Sequence, residues 1–322
     1  MTARVAVVAF CGGVGGAKIA LGLQHVVAAG ELAIVVNIGD DFEHLGLSIA
    51  PDLDTVMYTL AGVVEPQNGW GRADDTGQCM TEIERLCGPT WFRLGDRDLA
   101  VHIERSQRLR AGATLAAVTS DLVAAFRIPS QVWPVSNDAV RTVLETDEGR
   151  LAFQHYFVRR RCEPRVTGIR FEDAADARPL PEVVAALASP ALMAVVICPS
   201  NPYLSVDPML AIPGLRAALA ACRAPVVAVS PIIAGRAVKG PTAKLMRELG
   251  VEVSAASVAH HYSGLIDGYV MDGADVAQQS AIRVATSIAP TLMTTLDDRV
   301  LLAQAVLDFA ARLKDRPLSR AS

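Results

Sequence analysis

Phe10-Cys-Gly-Gly-Val-Gly-Gly-Ala-Lys18 is the stretch on which the reading of this chain turns. An apolar run, Val5 to Ala9, precedes it and reads as a buried strand, and a helical pattern, Ala17 to Ala29, follows it. Strand, glycine turn and helix in that order gather backbone N–H groups and the positive end of a helix dipole at one point, which suits an anion. Gly12, Gly13, Gly15 and Gly16 allow a tight turn and a close backbone approach, and Lys18 supplies a charge. No Gly-Lys-Ser/Thr closes the stretch, and its glycine spacing is not the dinucleotide fingerprint. Two readings remain from these residues alone: a phosphate or nucleotide site, or a turn that only lets a helix pack on a strand.

Outward from this point the chain keeps a strand–helix rhythm. Leu32–Val36 reads as a second strand, Asn37 to Asp54 as a polar loop, and Asp54 to Leu60 as a helix with Asp54 as its N-cap. The rhythm returns with strand Leu192–Cys198, helix Pro213–Ala221, strand Pro225–Val229, helix Ala243–Leu249, strand Gly268–Met271 and an amphipathic helix Leu296–Leu313. This predicts an α/β, Rossmann-like, doubly wound and mainly parallel sheet. Between the halves lie three helical segments, Thr81–Leu86, Asp98–Leu109 and Thr114–Phe126. Four short strands without helices between them follow: Gln131–Val135, Val140–Glu145, Leu151–Val158 and Val166–Phe171. They predict a helical and antiparallel-strand insertion, with residues 1–64 and 176–322 as the nucleotide-binding core and 65–175 as the insertion or cap.

Composition narrows the class. Hydrophobic residues are 51% and charged residues 20%, so the chain is globular and not disordered. A net charge of −4 leaves no basic footprint, so no nucleic-acid partner is expected. The six cysteines are scattered without a C-x-x-C pair, which suits a reduced cytoplasmic protein better than a disulfide scaffold or a zinc site. Neither a signal peptide nor a membrane-spanning run is read, and a cytoplasmic location without a membrane partner is expected.

In an open parallel sheet, ligands sit beyond the carboxyl ends of the strands. Four loops rich in Gly, Pro, Ser, Asn or Asp fall there: Gly12–Gly16, Asn37–Asp54, the loop after Cys198 and the loop after Val229. Asp40, Asp41, Asp52 and Asp54 crowd the second, and clustered carboxylates beside a phosphate loop suit Mg²⁺. Asp40 is read as functional, Asp52 as a turn former, Asp54 as a cap that can also face a ligand, and His44 as an ordinary loop histidine. Ser200, Asn201 and Pro202 follow the third strand; Ser230, Gly235, Lys239 and Gly240 follow the fourth, with Arg236 as a solvated charge. Trp91-Phe-Arg-Leu-Gly-Asp-Arg-Asp98 packs charge densely around Gly95 and reads either as helix capping or as a loop that contacts substrate.

The motifs together resemble the 2-phospho-L-lactate transferases of coenzyme F-420 biosynthesis over essentially the whole chain. They are Gly12-Gly-Val-Gly-Gly-Ala-Lys18, Asn37-Ile-Gly-Asp-Asp41, Pro51-Asp-Leu-Asp-Thr55, Gly69-Trp-Gly71, Leu94-Gly-Asp-Arg-Asp98, Pro199-Ser-Asn-Pro202, Ser230-Pro-Ile-Ile233 and Lys239-Gly-Pro241. The resemblance implies a Mg²⁺-dependent, dimeric enzyme. It would move a phosphate-linked three-carbon acid (lactyl, enolpyruvyl or glyceryl) from a guanosine diphosphate-linked donor to the ribityl hydroxyl of the deazaflavin Fo, releasing GMP. It implies Asp40 and Asp54 as catalytic and metal-binding carboxylates, and Asp54, Arg93 and Asp96 on the acceptor side. The glycine loop, Lys18, Ser200–Pro202, Ser230, Gly235, Lys239 and Gly240 fall on the donor side. On this reading Asp54→Asn costs several orders of magnitude in rate while the protein still folds. Asp207 departs from a glycine usual in the family and Asn137 from an aspartate. The competing reading is a non-enzymatic nucleotide-sugar-binding regulatory protein of related fold, which has no use for the Leu94–Asp98 segment. An NAD-dependent oxidoreductase fits less well, because no acidic residue closes the second strand.

Overall fold

Short runs of valine, isoleucine, leucine and alanine, each stopped by a polar or turn residue, form the frame. The computed structural model describes residues 5–314. Its central sheet holds β1 (Val7–Cys11), β2 (Leu32–Val36), β3 (Gln131–Pro134), β4 (Ala194–Ile197), β5 (Val226–Val229), β6 (Gly268–Met271) and β7 (Ala285–Ile288). All neighbours pair in parallel, in the order β7-β6-β5-β4-β1-β2-β3. Every residue of β1, β2, β4, β5 and β6 is buried, because helices cover both faces of a parallel sheet. This is why these strands read as continuous apolar runs instead of alternating ones.

The chain moves outward from β1 to β2 and β3, then returns to lay β4 on the other side of β1. The crevice between the carboxyl ends of β1 and β4 is therefore the switch point, where an open α/β sheet binds ligands.

Two differences from the sequence reading matter. Gln131–Pro134, expected in the antiparallel insertion, is the edge strand of the main sheet, paired with β2. The segment 65–175 therefore contributes a strand to the core, and only Arg141–Thr146, Gly149–Ala152 and Val166–Glu172 make a separate antiparallel sheet. Leu151–Val158 is not one strand. It leaves the sheet at Ala152 and coils into a π-helical turn, His155–Arg159.

The helices also start elsewhere. We name α1 (Gly13–Val26), α2 (Pro51–Leu60), α3 (Gln78–Arg85), α4 (Asp96–Arg110), α5 (Leu115–Ala125) and α6 (Leu296–Leu313). Pro51 opens α2 at a position that needs no N–H, so Asp54 lies inside the helix instead of capping it. α1 packs along α6 so closely that a Cβ at Gly22 would strike the backbone carbonyl of Arg299. Among the described residues no single helix is long and apolar enough to cross a membrane.

Candidate active site

At the switch point the glycine loop and the loop after β4 are bonded to each other. The Gly12 N–H donates to Ser200 Oγ (3.1 Å), and the Ser200 hydroxyl donates to the Gly12 carbonyl (2.8 Å). A Cβ at Gly15 would come within 2.5 Å of the Pro199 carbonyl oxygen. Part of the glycine pattern thus serves loop-on-loop packing. Gly13, at φ +63°, turns its N–H to Asp52 Oδ1 at 2.6 Å. A carboxylate therefore already stands at the positive end of α1.

Asn37, the first residue after β2, ties this carboxylate to a second one. Its Nδ2 donates to Asp40 Oδ1 (2.8 Å) and Asp52 Oδ2 (3.0 Å), while its Oδ1 accepts from the Gly39 N–H (2.9 Å). Asp40, Asp41 and Asp52 are 8%, 8% and 5% exposed. Burial raises Asp40 well above the carboxylate range, and the charges of Asp52 and Asp41 add to it. Burial lifts Asp52 to about 6, opposed by the hydrogen bonds from Asn37 and Gly13. Burial also raises Asp41, against Arg141 and Arg105. Asp41 Oδ1 has no hydrogen-bond partner among the described residues. Asp40 and Asp52, held on one amide, and Asp41, with an unpartnered oxygen, are hard oxygen donors of the kind that suits Mg²⁺, whereas the group whose ligand atoms all lie within 4.8 Å of one another among the described residues is Asp54, Asp98 and His102.

Raised carboxylates have a stability consequence of fixed sign. The stability they allow is full below their unfolded value near 3.8 and is lost as pH rises through the folded value. Metal-free protein should therefore lose stability as pH climbs from about 4 through about 6. Millimolar Mg²⁺ should flatten that loss. Thermal melts across this range, with and without the ion, measure both effects. A melting profile that is flat without metal would count against the buried acid cluster.

Asp54 faces a different neighbour. Arg105 Nη1 donates to Asp54 Oδ2 at 3.0 Å and Nη2 donates to Oδ1, a bidentate pair with Arg105 fully buried. Arg105 Nη1 also meets His102 Nδ1 at 3.2 Å. A guanidinium has only donors, so that nitrogen accepts and the ring proton sits on Nε2. Nε2 faces Asp98 at 3.4 Å, and Asp98 in turn accepts from the Tyr58 hydroxyl at 2.6 Å. Burial works to raise Asp98, but His102, Tyr58 and Arg105 outweigh it and hold the carboxyl below its ordinary value. Asp98, His102 and Arg105 are spaced i, i+4 and i+7 on α4, one face of a helix, a signal present in the sequence.

The other expected site residues are spread more widely. Asp96 accepts from the Thr76 hydroxyl (2.5 Å) and the N–H groups of Gln78 (3.0 Å) and Cys79 (2.9 Å), so it caps α3. Asp75 returns the exchange by accepting from Arg97 and Asp98 N–H at the start of α4. The charge density around Gly95 is thus explained by reciprocal capping, and the helix begins at Asp96, not Asp98. Arg93 is exposed and lines an open groove of about 480 Å³ with Gly77, Gln78, Thr81 and Glu82. Asn201 caps its own turn through Tyr203 and Leu204 N–H, Pro202 opens that turn, and Ser230 bonds within its loop to Ile232. Gly235 turns the small hairpin Ile232–Ile233/Arg236–Ala237 and Gly240 a following loop, both at positive φ. Lys18 donates to the Met293 carbonyl (2.8 Å) and Lys239 to that of Asn68.

The two departures have local partners. Asn137 accepts from the Ala116 N–H at the start of α5, and Asp207 pairs with His261 Nε2 at 2.8 Å. His44 is buried among Phe42, Trp91 and Phe92. Asn37, Asp52, His102 and Arg105 are the connected residues that the sequence reading left out or set aside.

A family model described as 2-phospho-L-lactate transferase CofD matches residues 7–303. The chain is 39% identical over 317 residues to a phosphoenolpyruvate transferase of Streptomyces griseus, covering 96% of this chain and 99% of that one. It is 41% identical to the phosphoenolpyruvate transferase of Kitasatospora aureofaciens (96% and 98% covered). With that of Mycobacterium ulcerans the identity is 40% (93% and 97%). Among solved structures, a UPF0052 family protein of Bacillus halodurans shares the fold with a TM-score of 0.65 at 16% identity, covering 94% of this chain and 99% of that one.

Proposed function

The chain belongs to the 2-phospho-L-lactate transferase CofD family, and from that membership we propose that it transfers a phosphate-linked three-carbon acid to the deazaflavin Fo in coenzyme F-420 biosynthesis. The donor in this reading is guanosine diphosphate-linked enolpyruvate, since the similar chains carry the name phosphoenolpyruvate transferase. The ribityl hydroxyl oxygen bonds to the phosphorus that bears the acid. The bond from that phosphorus to the GMP oxygen breaks, GMP leaves, and the hydroxyl proton passes to a base or to solvent. The enzyme is read as a cytoplasmic homodimer.

The observation that carries the reading is the set of buried carboxylates joined through Asn37 to the glycine loop at the switch point. Mg²⁺ would be held by Asp40 with Asp52 and Asp41 beside it, and when bound it neutralises phosphate charge. We assign it there, not to Asp40 and Asp54, because Arg105 engages both Asp54 oxygens. Phosphoryl transfer asks the protein for positioning and charge neutralisation more than covalent chemistry. Ser200 holds the glycine loop, Asn37 holds Asp40, and Lys18 and Lys239 meet the donor's negative charge. Asp54, fixed by Arg105, and Arg93 stay on the acceptor side, and Asp96 shapes that side by capping α3.

The test is direct. Purified protein is incubated with Fo and the guanosine diphosphate-linked donor, in Mg²⁺ or in chelator, and GMP and the deazaflavin product are followed by chromatography and mass. GMP released only when Fo, donor and Mg²⁺ are all present supports the reading. Tight nucleotide-sugar binding without affinity for Fo would replace it by the regulatory one.

A further inference from the structure

We propose that His102 and Asp98 are positioning residues for the acceptor substrate: acting through Arg105, they hold the Asp54 carboxylate in one orientation toward the hydroxyl-bearing chain of Fo. The inference rests on the function proposed above, in which Asp54 and Arg93 serve the acceptor side.

The residues form a closed circuit between two helices. α2 supplies Asp54 and, one turn later, Tyr58; α4 supplies Asp98, His102 and Arg105. Arg105 donates to both Asp54 oxygens and meets His102 Nδ1 at 3.2 Å. The buried His102 Nε2 has no hydrogen bond at ordinary distance among the described residues, and the oxygen it faces is Asp98 Oδ1, 3.4 Å away. The Tyr58 hydroxyl donates to that same oxygen at 2.6 Å and closes the circuit back onto α2. Tyr58, Asp54, His102 and Arg105 are all buried.

Each link removes one freedom. The bidentate pair sets the guanidinium and the carboxylate edge to edge. The two can still turn together as a unit, and the further bond to His102 stops that. His102 accepts from Arg105 only in the tautomer with its proton on Nε2, and Asp98 opposite Nε2 favours that tautomer. His102 Nδ1 also stands 3.6 Å from Asp54 Oδ2, so the imidazole packs against the carboxylate it steadies. Asp54, Asp98 and His102 lie close enough together to hold a metal ion. The chain already places a cation of its own there, because the Arg105 guanidinium takes both Asp54 oxygens.

A buried ion pair is often no more stabilising than apolar side chains of the same volume. What a connected polar network adds is a single geometry. Here that geometry belongs to the acceptor side. Arg93 lies three residues before the start of α4, and Asp54 lies in α2. Two groups that contact one ligand must keep their separation, and the circuit locks the helix after Arg93 to the helix that carries Asp54. Asp52, two positions earlier on α2, is turned about 200° away, toward Gly13 and the donor side. Loosening the circuit should therefore reach the acceptor substrate and spare the donor.

The experiment is calorimetric titration of wild type, His102→Leu, His102→Asn and Tyr58→Phe with Fo and, separately, with GDP, alongside thermal melts. His102→Leu should weaken Fo about 10- to 100-fold, the scale on which a misplaced contact group acts, and leave GDP unchanged. His102→Asn should recover part of the loss, because its side-chain oxygen takes the place of Nδ1 and accepts from Arg105. Tyr58→Phe, which removes one hydroxyl at the far end of the circuit, should weaken Fo in the same selective way but less. If His102→Leu does not fold, Tyr58→Phe decides: selective loss of Fo supports the role and unchanged Fo affinity overturns it. Wild-type affinity for Fo in both His102→Leu and Tyr58→Phe overturns the positioning role and leaves the proposed function standing. Equal losses of Fo and GDP, with a lower melting temperature and no recovery in His102→Asn, also overturn it, since they mark a packing role. Wild type that binds GDP but not Fo removes the proposed function and the positioning role with it.

Discussion

Asp40→Asn should lose at least about three orders of magnitude in kcat, as expected when several kcal/mol of charge neutralisation is removed from a phosphoryl transfer. Yet it should fold as well as wild type or better. Burial and the neighbouring charges of Asp52 and Asp41 hold the Asp40 carboxyl toward its protonated form in the ligand-free protein. An asparagine reproduces that form: its oxygen accepts from Asn37 as Asp40 does at 2.8 Å, and its amide can donate toward Asp52. The substitution also removes one carboxylate from the hard-oxygen set, so stabilisation by Mg²⁺ should fall with the rate. Steady-state kinetics and thermal melts with and without Mg²⁺ measure all three effects. Near-normal turnover, or a large drop in melting temperature, would remove Asp40 from the centre of the site.

Arg105→Ala has the largest expected effect on stability. Arg105 is fully buried and engages both oxygens of Asp54, itself 5% exposed. Removing one partner of a buried pair strands the other charge, at a cost of about 3–5 kcal/mol. Asp54→Asn should be destabilising for the same reason, because an arginine cannot shed its charge. The expectation that Asp54→Asn merely loses activity therefore acquires a folding cost. The double variant Asp54→Asn/Arg105→Met should be less destabilised than the sum of its single variants, since it leaves no stranded ion. Urea denaturation of wild type, Asp54→Asn, Arg105→Met and the double variant completes the cycle. Additive single effects would mean that the two side chains do not support each other.

The i, i+4, i+7 spacing of Asp98, His102 and Arg105 lies in the sequence, but it marks only a shared helix face. Asp54, which meets Arg105 and His102, is 51 residues from Arg105, and no local pattern links the two. Asp96 shows the opposite case. Its dense surroundings suggest a ligand contact, and three-dimensional pairing with Asp75 turns them into two helix caps.

What the sequence by itself determined is the architecture and the edge where chemistry gathers. Strands buried on both faces must be continuous apolar runs, and such runs alternating with helical periodicity pack in only a few ways. The loops after β1, β2 and β4 then meet at one switch point, with their glycines, carboxylates and Ser200. Only the tertiary structure decided the partner of each charged group: Gly13 for Asp52, Arg105 for Asp54, the start of α3 for Asp96. It also decided that Gln131–Pro134 completes the main sheet. A carboxylate's role depends on what desolvates it and what neutralises it. Those neighbours arrive from distant parts of the chain, through contacts that exist only once the strands and helices have packed.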